Sequence, residues 1–174
     1  MTSLRPARMP SHCSRSGACV AGLLLTFSAQ GALAIPPTPA HWTAGNLPTK
    51  PVAPGARFSL ILNARIDPGW HIYALEEPEG GPLATEIGLA EGDPVSLLRV
   101  DEAQPRMLPD PVYKQPTGLF QDTATFTLHL QLPRQPLLHD TTLHVQVRYQ
   151  SCNDKICLPP HTETVAVPLA TVLR

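Results

Sequence analysis

The chain has 174 residues, 16% of them charged and 43% hydrophobic, with 21 prolines and a formal net charge of −1, which suits one sizeable core. No excess of basic residues points to nucleic acid. No stretch reaches the ~18 consecutive apolar residues that a membrane-spanning helix requires.

At the N-terminus, Arg5, Arg8 and Arg15 precede an apolar run from Ala18 to Phe27, and Ala32-Leu33-Ala34 supplies a small-x-small cleavage pattern. This is the layout of a secretory signal peptide over residues 1–34, the competing reading being an uncleaved anchor. Cleavage removes three arginines and no acid, so 13 basic residues become 10 against 14 acidic ones, a net charge near −4. It also discards Cys13 and Cys19, leaving Cys152 and Cys157 as the cysteines of a chain exported to an oxidising compartment. Any disulfide within the exported chain then joins those two.

Residues 35–54 hold Pro36, Pro37, Pro39, Pro48, Pro51 and Pro54 and read as an extended lead-in, partly ordered by Trp42, rather than a packed element. A domain over residues 55–174 follows. Phe58, Leu60, Leu62, Ala64 and Ile66 alternate with Ser59, Ile61, Asn63 and Arg65, the period-2 pattern of a half-buried strand. The turn Asp67-Pro68-Gly69 ends it, and Trp70 to Ala74 resumes in extended form. Weaker strands are expected over Ala84 to Leu89 and Val95 to Val100. Residues 101–122 carry Pro105, Pro109, Pro111 and Pro116 without sustained periodicity and read as a long surface loop.

Ala124, Phe126, Leu128, Leu130 and Leu132 then face one way against Thr123, Thr125, Thr127, His129 and Gln131, the clearest strand signal in the chain. Leu143, Val145, Val147 and Tyr149 repeat the pattern and lead into Cys152, and a last strand is expected over Thr162 to Leu169. Seven or eight short strands at roughly 10-residue spacing, with no helical period, imply an all-β fold: an immunoglobulin-like antiparallel β-sandwich. Its usual cross-core disulfide joins strands distant in sequence, whereas Cys152 and Cys157 enclose four residues, so their chemistry is local.

Closing a six-residue loop contributes only about 2 kcal/mol of chain entropy, a weak staple. Asn153 and Asp154 suit a tight turn and Pro159-Pro160 restricts the exit, which places the sulfurs at an accessible strand end. Spacing alone fits a small structural bridge as well as a redox dithiol. A zinc set of Cys152, Cys157, His161 and His71 is a further option. For exchange chemistry the nearby positive groups are Lys155, between the cysteines, and His161, four positions after the second; either can tune a thiol pKa.

Tyr149-Gln150-Ser151-Cys152 with Cys157-Leu158-Pro159-Pro160 resembles the active-site hairpin of the N-terminal periplasmic domain of the thiol:disulfide interchange protein DsbD. Gly69-Trp70-His71-Ile72-Tyr73 resembles that family's Gly-aromatic strand, Asp110 to Tyr113 its loop over the cysteines, and Phe120-Gln121-Asp122 the opening of its next strand. The resemblance implies an immunoglobulin-like sandwich whose redox pair is Cys152 and Cys157, with Asp110, Val112 and Tyr113 shielding the site or handling protons and Tyr73 beneath it.

It also implies a periplasmic, protein-disulfide reductase-type exchange partner without cofactor or metal. Such a protein takes electrons from a membrane-embedded thiol transporter, here a separate chain, and passes them to periplasmic thioredoxin-like or disulfide-bonded proteins. The chain departs from the family pattern in having one residue fewer between the cysteines. Pro111-Val112 also stands where an acid and a bulky aromatic are expected, which passes the lid to Tyr113 or Phe120. The alternative function is a non-catalytic immunoglobulin-like binding or assembly module, for cytochrome c maturation or metal handling, with a structural disulfide.

Overall fold

A computed structural model describes residues 38–45 and 47–173; the signal peptide expected over 1–34 lies outside them. Among the described residues there are strands and no helix. The eleven strands are β1 (Ala40–Gly45), β2 (Arg57–Ile66), β3 (His71–Tyr73), β4 (Glu86–Leu89), β5 (Ser96–Glu102) and β6 (Arg106–Pro109), then β7 (Pro116–Gln121), β8 (Thr123–Gln131), β9 (Thr142–Tyr149), β10 (Ser151–Cys152) and β11 (His161–Pro168). Every pairing is antiparallel, in three sheets ordered β1-β2-β8-β5, β10-β3-β7-β6 and β11-β9-β4. This is the all-β immunoglobulin-like sandwich expected from the strand pattern.

Alternation dictates which faces meet. Phe58, Leu60, Leu62, Ala64 and Ile66 of β2 are buried, and so are Ala124, Phe126, Leu128 and Leu130 of β8. The register sets Leu60 against Leu128 and Leu62 against Phe126, so each buried row supports its neighbour across the strands. Leu143, Val145, Val147 and Tyr149 of β9 close the same cluster from another sheet, and Ile72 and Phe120 join from the third. Complete burial of one such Leu or Val side chain stabilises by about 1.5–3 kcal/mol.

Two stretches differ from expectation. The proline-rich lead-in contains β1, paired with β2 from Ala40↔Ile66 to Gly45↔Ile61. Its Trp42 lies in the main core with ring centroids 5.7 Å from Phe126 and 5.4 Å from Tyr149. Prolines flank this strand without interrupting it, and Pro39 accepts from Asp67 N through its carbonyl, which needs no N–H.

Residues 101–122, read as a loop, instead hold the end of β5 and the β6–β7 hairpin. Among the described residues β6 pairs only with β7, so Pro109 ends an edge strand whose outer side needs no donor. In β7, Thr117, Gly118, Leu119 and Phe120 are all buried, so no polar alternation marks it.

That double burial positions the site. β3 is buried at every residue: Ile72 faces the main core, while Tyr73 belongs to a second, smaller cluster with Leu119 and Cys152, bordered by Leu108, Tyr113 and Cys157. The sheet β10-β3-β7-β6 therefore packs apolar groups on both faces, and the outer face carries the cysteines.

Candidate functional site

Cys152 and Cys157 are joined in a disulfide across a tight hairpin. Asn153 shapes it. Its side-chain Oδ1 accepts from Lys155 N and Ile156 N, both at 2.9 Å, while its backbone N donates to Ile156 O at 2.9 Å. This is the local side-chain-to-backbone bonding that makes Asn a turn former, and it accommodates four residues between the cysteines. Leu158 N closes the base of the hairpin on Ser151 O at 2.9 Å. Cys152 is fully buried, whereas Cys157 is half-buried.

β10 places Cys152 beside β3, with Cys152 opposite His71 and Ser151 opposite Ile72. His71 and Tyr73, two apart on β3, share the outer face, and their rings meet edge to face with centroids 5.2 Å apart. The Tyr73 hydroxyl donates to Asp110 Oδ2 at 2.8 Å, and His71 Nε2 lies 3.1 Å from the same hydroxyl and 3.7 Å from Asp110 Oδ2. His71, Tyr73 and Asp110 are all buried. They form a continuous polar chain under the disulfide.

Asp110 also builds the β6–β7 turn. Its Oδ1 accepts from Val112 N at 2.7 Å and Tyr113 N at 2.9 Å, and its carbonyl accepts from Lys114 N at 2.9 Å, where Lys114 takes a left-handed φ of 60°. Burial pushes the Asp110 carboxyl up, but the donated bonds from Tyr113 N, Tyr73 and Val112 N outweigh it and hold the group below the usual aspartate range. It is a carboxylate. Burial, followed by the bond to Asp110, drives the Tyr73 hydroxyl far above the usual tyrosine range. Burial also lowers His71 below the usual histidine range against the opposing pull of Asp110 and Asp154.

Tyr113 covers this chain. Its ring stands edge-on to Tyr73 at 6.3 Å, and its hydroxyl donates to Gln150 Oε1 at 3.2 Å. Gln150 is the clamp of the site: the same oxygen accepts from Leu83 N at 3.3 Å, and its Nε2 donates to Leu158 O at 3.2 Å. One side chain thus ties the β6–β7 turn, the segment before β4 and the exit of the cysteine hairpin.

The structure brings Tyr73, Asp110 and Tyr113 together around the disulfide. Val112 is 41% exposed on the outer side of the turn, as is Ile156 at 53% in the hairpin. Phe120 faces the main core against Phe126, so among the two aromatics weighed as a lid Tyr113 alone occupies that place. Lys155 is exposed at the hairpin tip. His161 opens β11 and sets its ring edge-on to Tyr149, a main-core residue, at 5.8 Å. Of the zinc set weighed from the sequence, Cys152 and Cys157 are bonded to each other and His161 sets its ring against Tyr149, and among the described residues no three His, Cys, Asp or Glu side chains group as metal ligands.

Sequence reasoning gave no proton role to His71 and no role to Gln150. Both lie inside the motifs that carry the family resemblance, and His71 shares the period-2 face of Tyr73. The fold and the site define an immunoglobulin-like domain that carries a closed dithiol on the outer face of one sheet, over a buried polar chain. The chain belongs to the family described as the N-terminal part of the thiol:disulfide interchange protein DsbD, whose model matches residues 43–169, a thiol:disulfide exchange family.

Among solved structures, the N-terminal periplasmic domain of ScsB from Proteus mirabilis is similar in fold, with a TM-score of 0.55, 17% identity, and coverage of 80% of this chain and 50% of that one. This chain thus spans half the length of that relative. The reduced DsbD N-terminal domain of Neisseria meningitidis aligns with a TM-score of 0.46 and 12% identity over 67% of this chain and 78% of that one. No curated protein matches the chain.

Proposed function

We propose that the chain is a periplasmic thiol:disulfide exchange protein that relays two electrons through Cys152 and Cys157, from a membrane thiol transporter to periplasmic disulfide proteins. The observation that carries this reading is the placement of the disulfide. It lies outside the main core, in a hairpin whose Cys157 is half-buried while Cys152 is fully buried. A bridge serving the fold belongs between the sheets, whereas this one offers a sulfur to an incoming thiolate.

The unequal burial supports a division of labour. Cys157 forms the mixed disulfide with a partner, and Cys152 resolves it. Asp110, Tyr73 and Tyr113 shield the pair and govern its protons, while Val112 lies at the rim where a partner would touch. Export by the N-terminal leader places the protein in the periplasm, where a relative's matching domain is found.

Two measurements test the reading. A Cys152–Cys157 reduction potential above about −300 mV is expected, and a value well below it marks a structural bridge. A Cys152→Ser chain, with Cys157 left free, should capture mixed-disulfide partners from periplasm. Failure of both Cys152→Ser and Cys157→Ser to capture any partner removes the exchange mechanism and leaves a binding module with a pinned hairpin.

A further inference from the structure

We propose that His71 is the base that takes the proton from the buried Cys152 thiol as the reduced domain closes its disulfide; the inference rests on the exchange reading above. Strand pairing comes first. β10 sets Cys152 directly opposite His71, and opposed residues of antiparallel strands project from one face with Cβ atoms about 4.5–5.5 Å apart. Imidazole and sulfur are therefore neighbours on the outer face of β10-β3-β7-β6.

Burial is the second observation. Cys152 is 0% exposed and His71 4%, so a thiol proton has no direct exit to bulk water and a thiolate in this cluster lacks hydration. A protein group must receive the proton.

The hydrogen-bond chain is the third. The single hydroxyl proton of Tyr73 goes to Asp110 Oδ2 at 2.8 Å. The 3.1 Å contact between that hydroxyl and His71 Nε2 is then donated by Nε2–H to the tyrosine oxygen. This fixes the neutral tautomer and leaves Nδ1 as the acceptor.

The groups that face His71 are Tyr73 on its own strand, Cys152 on β10, Gln121 on β7 with Arg106 bonded to it at 3.1 Å, Asp110 of the β6–β7 turn and Asp154 of the cysteine hairpin. Burial keeps the ring neutral, which is the base form. The carboxylates of Asp110 and Asp154 stabilise the imidazolium once the proton arrives.

The step balances as follows. Cys157, as a thiolate, has already attacked a partner disulfide, displaced one partner thiolate and become bonded to the other partner sulfur. The Cys152 S–H bond breaks and its proton passes to His71. The Cys152 sulfur attacks Cys157 Sγ, the Cys152–Cys157 bond forms, and the bond from Cys157 to the partner breaks. The partner leaves as a thiolate and is protonated by solvent, to which the imidazolium later returns its proton. The two cysteines lose two electrons and the partner disulfide gains them.

To test this, the reduced exported chain, residues 35–174, whose cysteines are Cys152 and Cys157, is mixed with glutathione disulfide between pH 5 and 9, quenched in acid, and assayed by mass spectrometry for the glutathionylated and closed forms. In the natural chain the resolution rate should carry an inflection from the imidazole. His71→Gln keeps an N–H donor for Tyr73 but has no base, so the mixed disulfide should accumulate, with resolution slowed at least about tenfold and the inflection gone.

Natural rate and pH profile in a folded His71→Gln chain overturn the inference and leave exchange intact. A natural chain that forms neither species from glutathione disulfide overturns the exchange reading itself. Should His71→Gln fail to fold, Asp110→Asn decides. Loss of the carboxylate should move the inflection to lower pH, and an unmoved inflection refutes His71 as the base.

Discussion

The Tyr73 hydroxyl and the Asp110 carboxylate meet at 2.8 Å beneath the disulfide, joining an inner strand of the sandwich to the turn that covers its cysteine-bearing face. The Asp110 carboxylate accepts three hydrogen bonds, two of them from the backbone of its own turn. The residue that shapes the turn thus also fixes the floor of the site, which ties the position of Tyr113 to the charge of Asp110.

Stability should therefore follow the ionisation of Asp110. Its carboxyl is held below the usual aspartate value of 3.8 in the folded state. A depressed folded pKa gives stability that is fully present above the unfolded pKa and is lost as pH falls through the lower folded one. Urea unfolding of the oxidised chain should show this loss as pH falls below about 4, and Asp110→Asn should lack that component. Asp110→Ala, which strands the Tyr73 hydroxyl and two backbone donors, should cost about 2–3 kcal/mol at neutral pH. An Asp110→Asn chain with the same acid limb as the natural protein would refute the assignment.

Tyr73→Phe preserves the ring and removes only the hydroxyl, so it isolates the polar chain from the packing. The variant leaves Asp110 Oδ2 without its tyrosine donor and His71 Nε2 without its acceptor. A loss of about 1–2 kcal/mol is expected in urea unfolding. A neutral result would mean that the pair is replaced by solvent, which contradicts its burial.

Much of the architecture was legible in the residues. The alternating rows of β2, β8 and β9 correspond to the buried faces of the main core, because each of those strands has one dry side and one wet side. β7 escaped detection for the opposite reason: the main core and the cysteine cluster bury both of its faces, so Thr117 to Phe120 show no alternation. Cys152 and Cys157 were readable from spacing and motif. His71 was not, since its meaning depends on the β3–β10 register, a pairing between distant segments that no local pattern encodes.

Trp42 provides a direct test of β1, the strand hidden among prolines. Its ring contacts Phe126 and Tyr149, and only 6% of it is exposed. Trp42→Ala should destabilise the chain by about 3–5 kcal/mol, the range for an aromatic removed from a packed core. A change under about 1 kcal/mol, the range of surface substitutions, would show that the lead-in does not belong to the core.

Shielding should depend on Tyr113 and not on Val112. Tyr113 has an aromatic contact with Tyr73 and a hydrogen bond to Gln150, together worth about 1–3 kcal/mol of turn closure. Val112 is 41% exposed. If a reductant must displace the turn, Tyr113→Ala should speed reduction of the disulfide by dithiothreitol roughly tenfold, at 1.4 kcal/mol per factor of ten. Val112→Ala should change the rate less than about twofold, in keeping with a surface substitution. Equal rates in all three proteins would show that the turn does not gate the sulfurs.

Opening the disulfide should leave the fold standing. The main core excludes both cysteines, which belong to the smaller cluster with Tyr73 and Leu119. A six-residue loop contributes only about 2 kcal/mol through chain entropy, against a total of about 5–15 kcal/mol for a domain. Urea unfolding of the reduced and oxidised chains should therefore give cooperative transitions separated by about 2 kcal/mol with nearly equal slopes. A reduced chain destabilised by more than about 5 kcal/mol, the upper end for native disulfides, would make the bond a staple. A carrier that must survive in both redox states requires the small value, because whatever stability the closed form gains over the open one opposes its own reduction.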